Sequence, residues 1–358
     1  MSTVLLITLI FLTLNAFPFV RIWSGRWPWE RHLLLFAFLF AVTSFALSPM
    51  ARAVTPEPDG GYPGFNTAEG DNALFSLTTG NRTAFADTAA HSIEVLEIID
   101  YASDVSTVSE HLNNRRDVVG AISGSDGTQG FIRFKNGQFA PLLVEPNDDG
   151  GGTHAAGINI AQLICGYYFN IADQLLHGFF FDLNKGYTEY QFGSNTWLFD
   201  LNDSGDFCGA YCQTKECTDP RGFVSVAGTV TPIVGPNAPV TYARGINNLG
   251  DVVGDYGDDN GFFYGFLRTA DGQLIAPVDV PGGDGPRFRD INDKQIMVGS
   301  YTVASGERGF VLKLPDTVII FDYPGATATR LTGINNKNQL CGWFVEGARV
   351  HGVIARLK

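Results

Sequence analysis

Charge is scarce in this sequence. Only 17% of its 358 residues are Asp, Glu, Lys or Arg, and Met occurs three times. Coiled coils and helix bundles draw on Ala, Leu, Glu and Lys, so this composition argues against both. Lys and Arg number 24 against 37 Asp and Glu, a net charge of −13 that argues against sequence-independent binding to nucleic acid. There is no G-x-S-x-G, H-E-x-x-H or paired C-x-x-C, and no phosphate-cradling G-x-x-x-x-G-K-[ST]. What is plentiful is Gly (42) with Phe (28) and Pro (17). That mixture suits short strands joined by many tight turns.

The first 53 residues read as a targeting region. Residues 4–20 are apolar apart from Thr8, Thr13 and Asn15, and residues 33–47 carry no charge. Arg31 before the second run and Ala51-Arg52-Ala53 after it complete a secretory signal with a small-x-small cleavage site. Fifteen residues are short for a membrane span. The first run is either an anchor or extra sequence from an upstream start, and the completeness of the later signal favours the second. The expectation is an exported protein, extracellular or periplasmic, touching membrane only through this region if it stays uncleaved. Removal of residues 1–53 takes away four Arg and one Glu, so the remaining chain carries −16.

Six copies of one pattern follow, (Ile/Leu)-Asn-x-x-x-x-x-(Val/Cys)-Gly, then a loop and a second Gly. The anchors are Leu112, Ile158, Leu201, Ile246, Ile291 and Ile334, spaced 43 to 46 residues apart. The next residue is always Asn: Asn113, Asn159, Asn202, Asn247, Asn292 and Asn335. Eight residues after each anchor stands Gly120, Gly166, Gly209, Gly254, Gly299 or Gly342. In the fourth unit, residues 240–246, 251–256, 265–269 and 273–280 read as four strands, with Asp271-Gly272 a hairpin turn. Four strands in about 45 residues is the period of a β-propeller blade. The sixth unit stops after its third strand, while residues 94–101 upstream read as a stray fourth strand. An all-β, six-bladed propeller closed by that N-terminal strand is the expectation, with an open β-repeat solenoid as the alternative. The expected domains are the leader (1–53), a partly irregular lead segment (54–93) and the repeats (94–358).

Gly245-Ile246-Asn247-Asn248, Val252-Val253-Gly254, His177-Gly178-Phe179 and Asp322-Tyr323-Pro324-Gly325-Ala326 resemble the HAF-type bacterial extracellular repeat family, over about residues 94–358. This chain has Gly in place of the family's Ala and keeps the signature His only at His177 and His351. The resemblance implies an extracellular repeat protein and no catalytic residue. Residues 60–92, with Asn66-Thr67-Ala68 and Thr78-Thr79-Gly80, are similar to short repeats of bacterial surface proteins.

Cys165, Cys208 and Cys341 fall seven residues after an anchor, where other units have Val, and read as buried apolar residues. Cys212 and Cys217 share a loop unique to the third unit and suit a local disulfide in an oxidising compartment. The six Asn are too many for one active site and read as turn residues. Asp255, Asp258 and Asp259 crowd one loop and form a weak calcium candidate. A solvated acidic loop is the commoner meaning, and no other cofactor is expected. Four and two residues before the anchors lie the positions expected near a central channel. They include His154, Trp197, Tyr242, Arg287 and Arg330, then Arg244 and Arg289, a candidate funnel for sugars or acidic groups. A second candidate ring precedes the later Gly: Gln129, His177, Arg221, Tyr264, Arg308 and His351. The favoured function is a ligand-binding or interaction module, for a glycan or another surface protein. The alternative is a carbohydrate-active enzyme, a glycoside hydrolase or polysaccharide lyase using the channel mouth.

Overall fold

A computed structural model describes residues 92–281, 284–315 and 317–358, with the two-residue strand β1 (Thr83–Ala84). The expected leader and most of the lead segment lie outside the described residues. Every regular element among the described residues is a strand. After β2 (Ile93–Ile99), the first unit contributes β3 (Ser106–Leu112), β4 (Val118–Gly124) and β5 (Gly127–Arg133). The second contributes β6 (Thr153–Ile158), β7 (Ile164–Asn170), β8 (Leu175–Asp182) and β9 (Gly186–Tyr190). The third holds β10 (Asn195–Leu201), β11 (Phe207–Cys212), β12 (Arg221–Val226) and β13 (Thr229–Ile233). The fourth holds β14 (Val240–Ile246), β15 (Val252–Gly257), β16 (Phe263–Arg268) and β17 (Leu274–Val278), within a few residues of the expected bounds. Next come β18 (Asp284–Ile291), β19 (Ile296–Val303), β20 (Gly306–Lys313) and β21 (Thr317–Phe321). The chain ends with β22 (Ala328–Ile334), β23 (Gln339–Glu346) and β24 (Arg349–Leu357).

The first four units form four separate antiparallel sheets in a β-propeller arrangement: β3-β4-β5, β6-β7-β8-β9, β10-β11-β12-β13 and β14-β15-β16-β17. The remaining strands make one nine-stranded sheet, in which a single parallel pair, Glu307 with Ala328, links β20 to β22. Within it β2 pairs antiparallel with β24, and β1 pairs with β2. The first unit departs from the expected four strands. Its outermost segment meets β5 through isolated bridges at Phe139 and Leu143.

The repeated columns have physical causes. A Cβ on Gly120, Gly166, Gly209, Gly254, Gly299 or Gly342 would collide with a carbonyl oxygen of the neighbouring inner strand, Val108, His154, Trp197, Tyr242, Arg287 or Arg330 in turn. The second strand therefore runs too close to the first for any other residue. The later Phe131, Phe179, Phe223, Phe266 and Phe310 are fully buried, and the core lies between neighbouring units. Cys165, Cys208 and Cys341 are free and buried, and Cys212 and Cys217 are disulfide-bonded.

The repeated Asn does two jobs. Each Oδ1 accepts two backbone N–H groups of its own turn, as Asn247 does from Leu249 and Asp251 at 3.0 and 2.9 Å. Each Nδ2 donates to the carbonyl of the next unit's Asn: Asn113 to Asn159, Asn159 to Asn202, Asn202 to Asn247, Asn247 to Asn292 and Asn292 to Asn335, at 3.1–3.2 Å. Asn335 then donates to Asn113 at 3.0 Å, so the chain of amides returns to its start. Asn247→Ala strands these buried backbone groups and is expected to cost about 2 kcal/mol. Urea unfolding, compared with an exposed-site substitution such as Leu249→Ala, checks this.

Candidate functional site

The inner strands β3, β6, β10, β14, β18 and β22 share one irregularity. Their pairing slips between Ser109 and His111, Ala155 and Gly157, Leu198 and Asp200, Ala243 and Gly245, Phe288 and Asp290, and Leu331 and Gly333. The skipped residues are Glu110, Ala156, Phe199, Arg244, Arg289 and Thr332. A β-bulge re-aims the side chains around it. All six bulged residues line one cavity of about 80 Å³, with His154, Tyr167, His111 and Asp200.

The walls of this cavity differ in character. On one side His154 stacks on Tyr167 at 4.9 Å, and Tyr167 meets Phe199 edge-on. Arg244 lies 4.4 Å over the Phe199 ring and 4.5 Å over that of Tyr242, giving cation–π contacts. Beyond it, fully buried Asp255 receives Arg244 at 3.3 Å and Arg287 at 3.2 Å. Arg287 covers Phe263, and Arg330 covers Trp343 while holding Glu307 with two hydrogen bonds, at 3.0 and 2.8 Å. Among the described residues, Arg289 has no such carboxylate, and its buried Nε has no hydrogen-bond partner. Burial, with the charges of Arg244 and Arg330, pulls Arg289 down to about 9. Burial also raises the Glu110 carboxyl, against the pull of Arg289, Arg330 and Arg244. Burial pushes Tyr167 up to about 12 and lowers His154, which favours neutral forms of both at pH 7.

Beneath the bulged residues the next position alternates: His111, Gly157, Asp200, Gly245, Asp290, Gly333. The three side chains converge. His111 Nε2 lies 3.4 Å from Asp200 and 3.2 Å from Asp290. The glycines make room, since a Cβ on Gly245 would sit 2.6 Å from Asp290 Cα and one on Gly157 2.8 Å from Asp200 Cα. Each side chain accepts the anchor N–H of the next unit: His111 from Ile158 at 3.3 Å, Asp200 from Ile246 at 2.9 Å, Asp290 from Ile334 at 2.7 Å. His111 also lines a second cavity, walled by the repeated Asn, so the cluster is the floor between the two.

His111, Asp200 and Asp290 place donor atoms within 4.8 Å of one another, close enough to hold a metal ion. Both oxygens of each carboxylate already accept backbone N–H groups, including those of Leu201 and Ile291. With His111 Nδ1 accepting from Ile158, Nε2 carries the hydrogen and faces the two carboxylates. Burial raises Asp200 to about 7, against the pull of His111 and with the help of Asp290. Against its burial, the charges of Asp200 and Asp290 raise His111 to about 9.

Of the residues expected near the channel, His154, Arg244 and Arg289 line the cavity. Tyr242, Arg287 and Arg330 join it through the stacked and paired network above, whereas Trp197 is not among its lining residues. The aspartates considered for calcium do not gather. Asp255 is held by two arginines, and Asp258 caps its own loop by accepting from Asn260 and Phe262. Members of the second expected ring pair instead with nearby acids: His177 with Asp173 and Glu189, His351 with Asp100, Arg308 with Asp322 and Arg221 with Asp219.

No family model and no curated protein matches the chain. Among solved structures it is similar to virginiamycin B lyase from Staphylococcus aureus (TM-score 0.43, 11% identity, covering 74% of this chain and 99% of that one). It is also similar to a gluconolactonase from Xanthomonas campestris (0.45, 10%, 78% and 95%) and to Aleuria aurantia lectin with α-methyl-L-fucoside (0.47, 11%, 74% and 96%). All three are β-propeller proteins.

Gly245→Ala is expected to destabilise the fold by about 1–3 kcal/mol through overpacking. Gly261→Ala, with open space around it, controls for the loss of a glycine, although its own φ of 82° adds strain. Urea midpoints of the two variants decide whether crowding at the cluster dominates. Asp200 has a folded pKa above its ordinary 3.8, so the stability it lends is present at low pH and is lost as pH rises through about 7. The stability difference between wild type and Asp200→Asn is therefore expected to shrink from pH 4 to pH 8. Thermal melts in EDTA are expected to match those without it.

Proposed function

We propose that the chain is an exported binding module: a closed six-bladed propeller whose channel mouth receives part of a glycan. The observation that carries this reading is the contrast between frame and mouth. Backbone turns, Gly columns and amide links repeat six times, while the bulged positions around one cavity carry Glu110, Ala156, Phe199, Arg244, Arg289 and Thr332. Positions that vary on a repeated scaffold are where repeat proteins place recognition. Aromatic faces beside guanidinium groups suit sugars, whose C–H faces pack on rings while hydroxyl and acidic groups meet Arg.

Ring closure is supported by β2 pairing with β24 and by the Asn335 to Asn113 bond. Thr332 Oγ1 also donates to the Ser109 carbonyl at 2.7 Å, joining the last inner strand to the first. In this reading β2 is the fourth strand of the last blade. Export is supported by the leader pattern and agrees with the Cys212–Cys217 disulfide. Kinship with the HAF-type repeats is part of the same proposal and rests on the quoted motifs.

One observation favours the enzyme alternative, the buried Glu110 carboxyl held above its usual range beside the cavity. A glycan array followed by product analysis separates the readings. Binding without new reducing ends or unsaturated products is expected. Product release abolished by Glu110→Gln would replace the module with a hydrolase or lyase. Arg244→Ala is expected to weaken array binding about tenfold, by loss of a charge-assisted contact.

A further inference from the structure

We propose that the cavity around Arg289 is a subsite for one compact oxyanion, the carboxylate or sulfate group of a ligand. This inference rests on the channel mouth being a binding site and names the chemical class of the ligand it takes. Three of the four arginines near the mouth are held by carboxylates, Arg244 and Arg287 by Asp255 and Arg330 by Glu307. Arg289 is the exception, and its Nε is buried without a partner. A buried guanidinium hydrogen without an acceptor costs more than it returns until an acceptor arrives. Arg244 shares the cavity, and its charge and that of Arg330 bear on Arg289 against those of Asp255 and Glu110.

The space is small. A cavity of about 80 Å³ holds a group of a few heavy atoms, so the anionic group enters while the rest of the ligand stays at the aromatic mouth. Glu110 lines the same cavity and feels the same three arginines, Arg289, Arg330 and Arg244. It acts as a resident anion that an incoming oxyanion must compete with. Removing its charge therefore favours the ligand, while removing Arg289 disfavours it.

The test is calorimetric titration of the full chain with glucuronate and with inorganic sulfate, using glucose as the neutral control, at millimolar concentrations. At least one anion is expected to bind, with glucose silent. Comparing the two anions tells a carboxylate from a sulfate preference. Arg289→Ala is expected to weaken anion binding at least about tenfold with the melting temperature kept within a few degrees. Arg289→Lys, which keeps the charge and loses the Nε hydrogen, is expected to fall between and covers the case in which the alanine variant does not fold. Glu110→Gln is expected to tighten binding. Anion binding unchanged in both Arg289 variants, equal binding of glucose, or no binding of either anion to the wild type would each overturn the subsite. Array binding of oligosaccharides that is indifferent to Arg289 would overturn it while leaving the mouth as a binding site. Arg289-dependent sulfate binding without any array signal would support it and remove the glycan reading.

Discussion

The carboxamide of the repeated Asn is the interaction on which the rest depends. Its oxygen holds the turn of one unit, and its nitrogen holds the carbonyl of the next. Local geometry and long-range assembly are thus tied to one side chain, so neither can shift without the other. Burial makes the tie strict, since Asn113, Asn159, Asn202, Asn247, Asn292 and Asn335 are all almost fully covered. With the turns pinned at one end of the channel, the inner strands arrive at their bulges in the same register six times.

The bulge turns that uniform frame into a site. In a regular strand successive side chains point to opposite faces. The extra residue breaks the alternation, so two consecutive positions serve the channel. One supplies Glu110, Phe199, Arg244 and Arg289 to the cavity wall, and the next supplies His111, Asp200 and Asp290 to the floor. The frame uses backbone and Gly, which leaves the bulged side chains free to differ between units. Counter-ions come from outside the inner strands: Asp255 sits on β15 and Glu307 on β20. Arg289 receives neither.

Much of the scaffold was legible in the sequence because its causes are local and repeated. The Gly column reports a close strand approach at every copy, the Asn column a turn, and the strand bounds of the fourth unit fall within a few residues of those expected. Arg244, Arg289 and His154 were legible as channel residues because a period of two from the anchor reaches them. His111, Asp200 and Asp290 were not, since the same period assigns their position to the other face. The signal that would have found them is the strict alternation with Gly157, Gly245 and Gly333, which no turn or strand propensity explains. Tyr167 was hidden for another reason. It reaches the cavity from β7, a second strand, and only tertiary packing places it beside His154. The missing ladder in the first unit carries no such mark, since Pro141 has counterparts in Pro232 and Pro277, which sit within β13 and β17.

The alternation of His111, Asp200 and Asp290 with three glycines has a period of two units, while the turns and amides have a period of one. Each glycine lies against the backbone of the filled position in the next unit, Gly157 against Asp200, Gly245 against Asp290 and Gly333 against His111. A side chain at any of the three glycines would press on that backbone. The filled and the empty positions therefore differ in what they tolerate, although every unit folds by the same local rules.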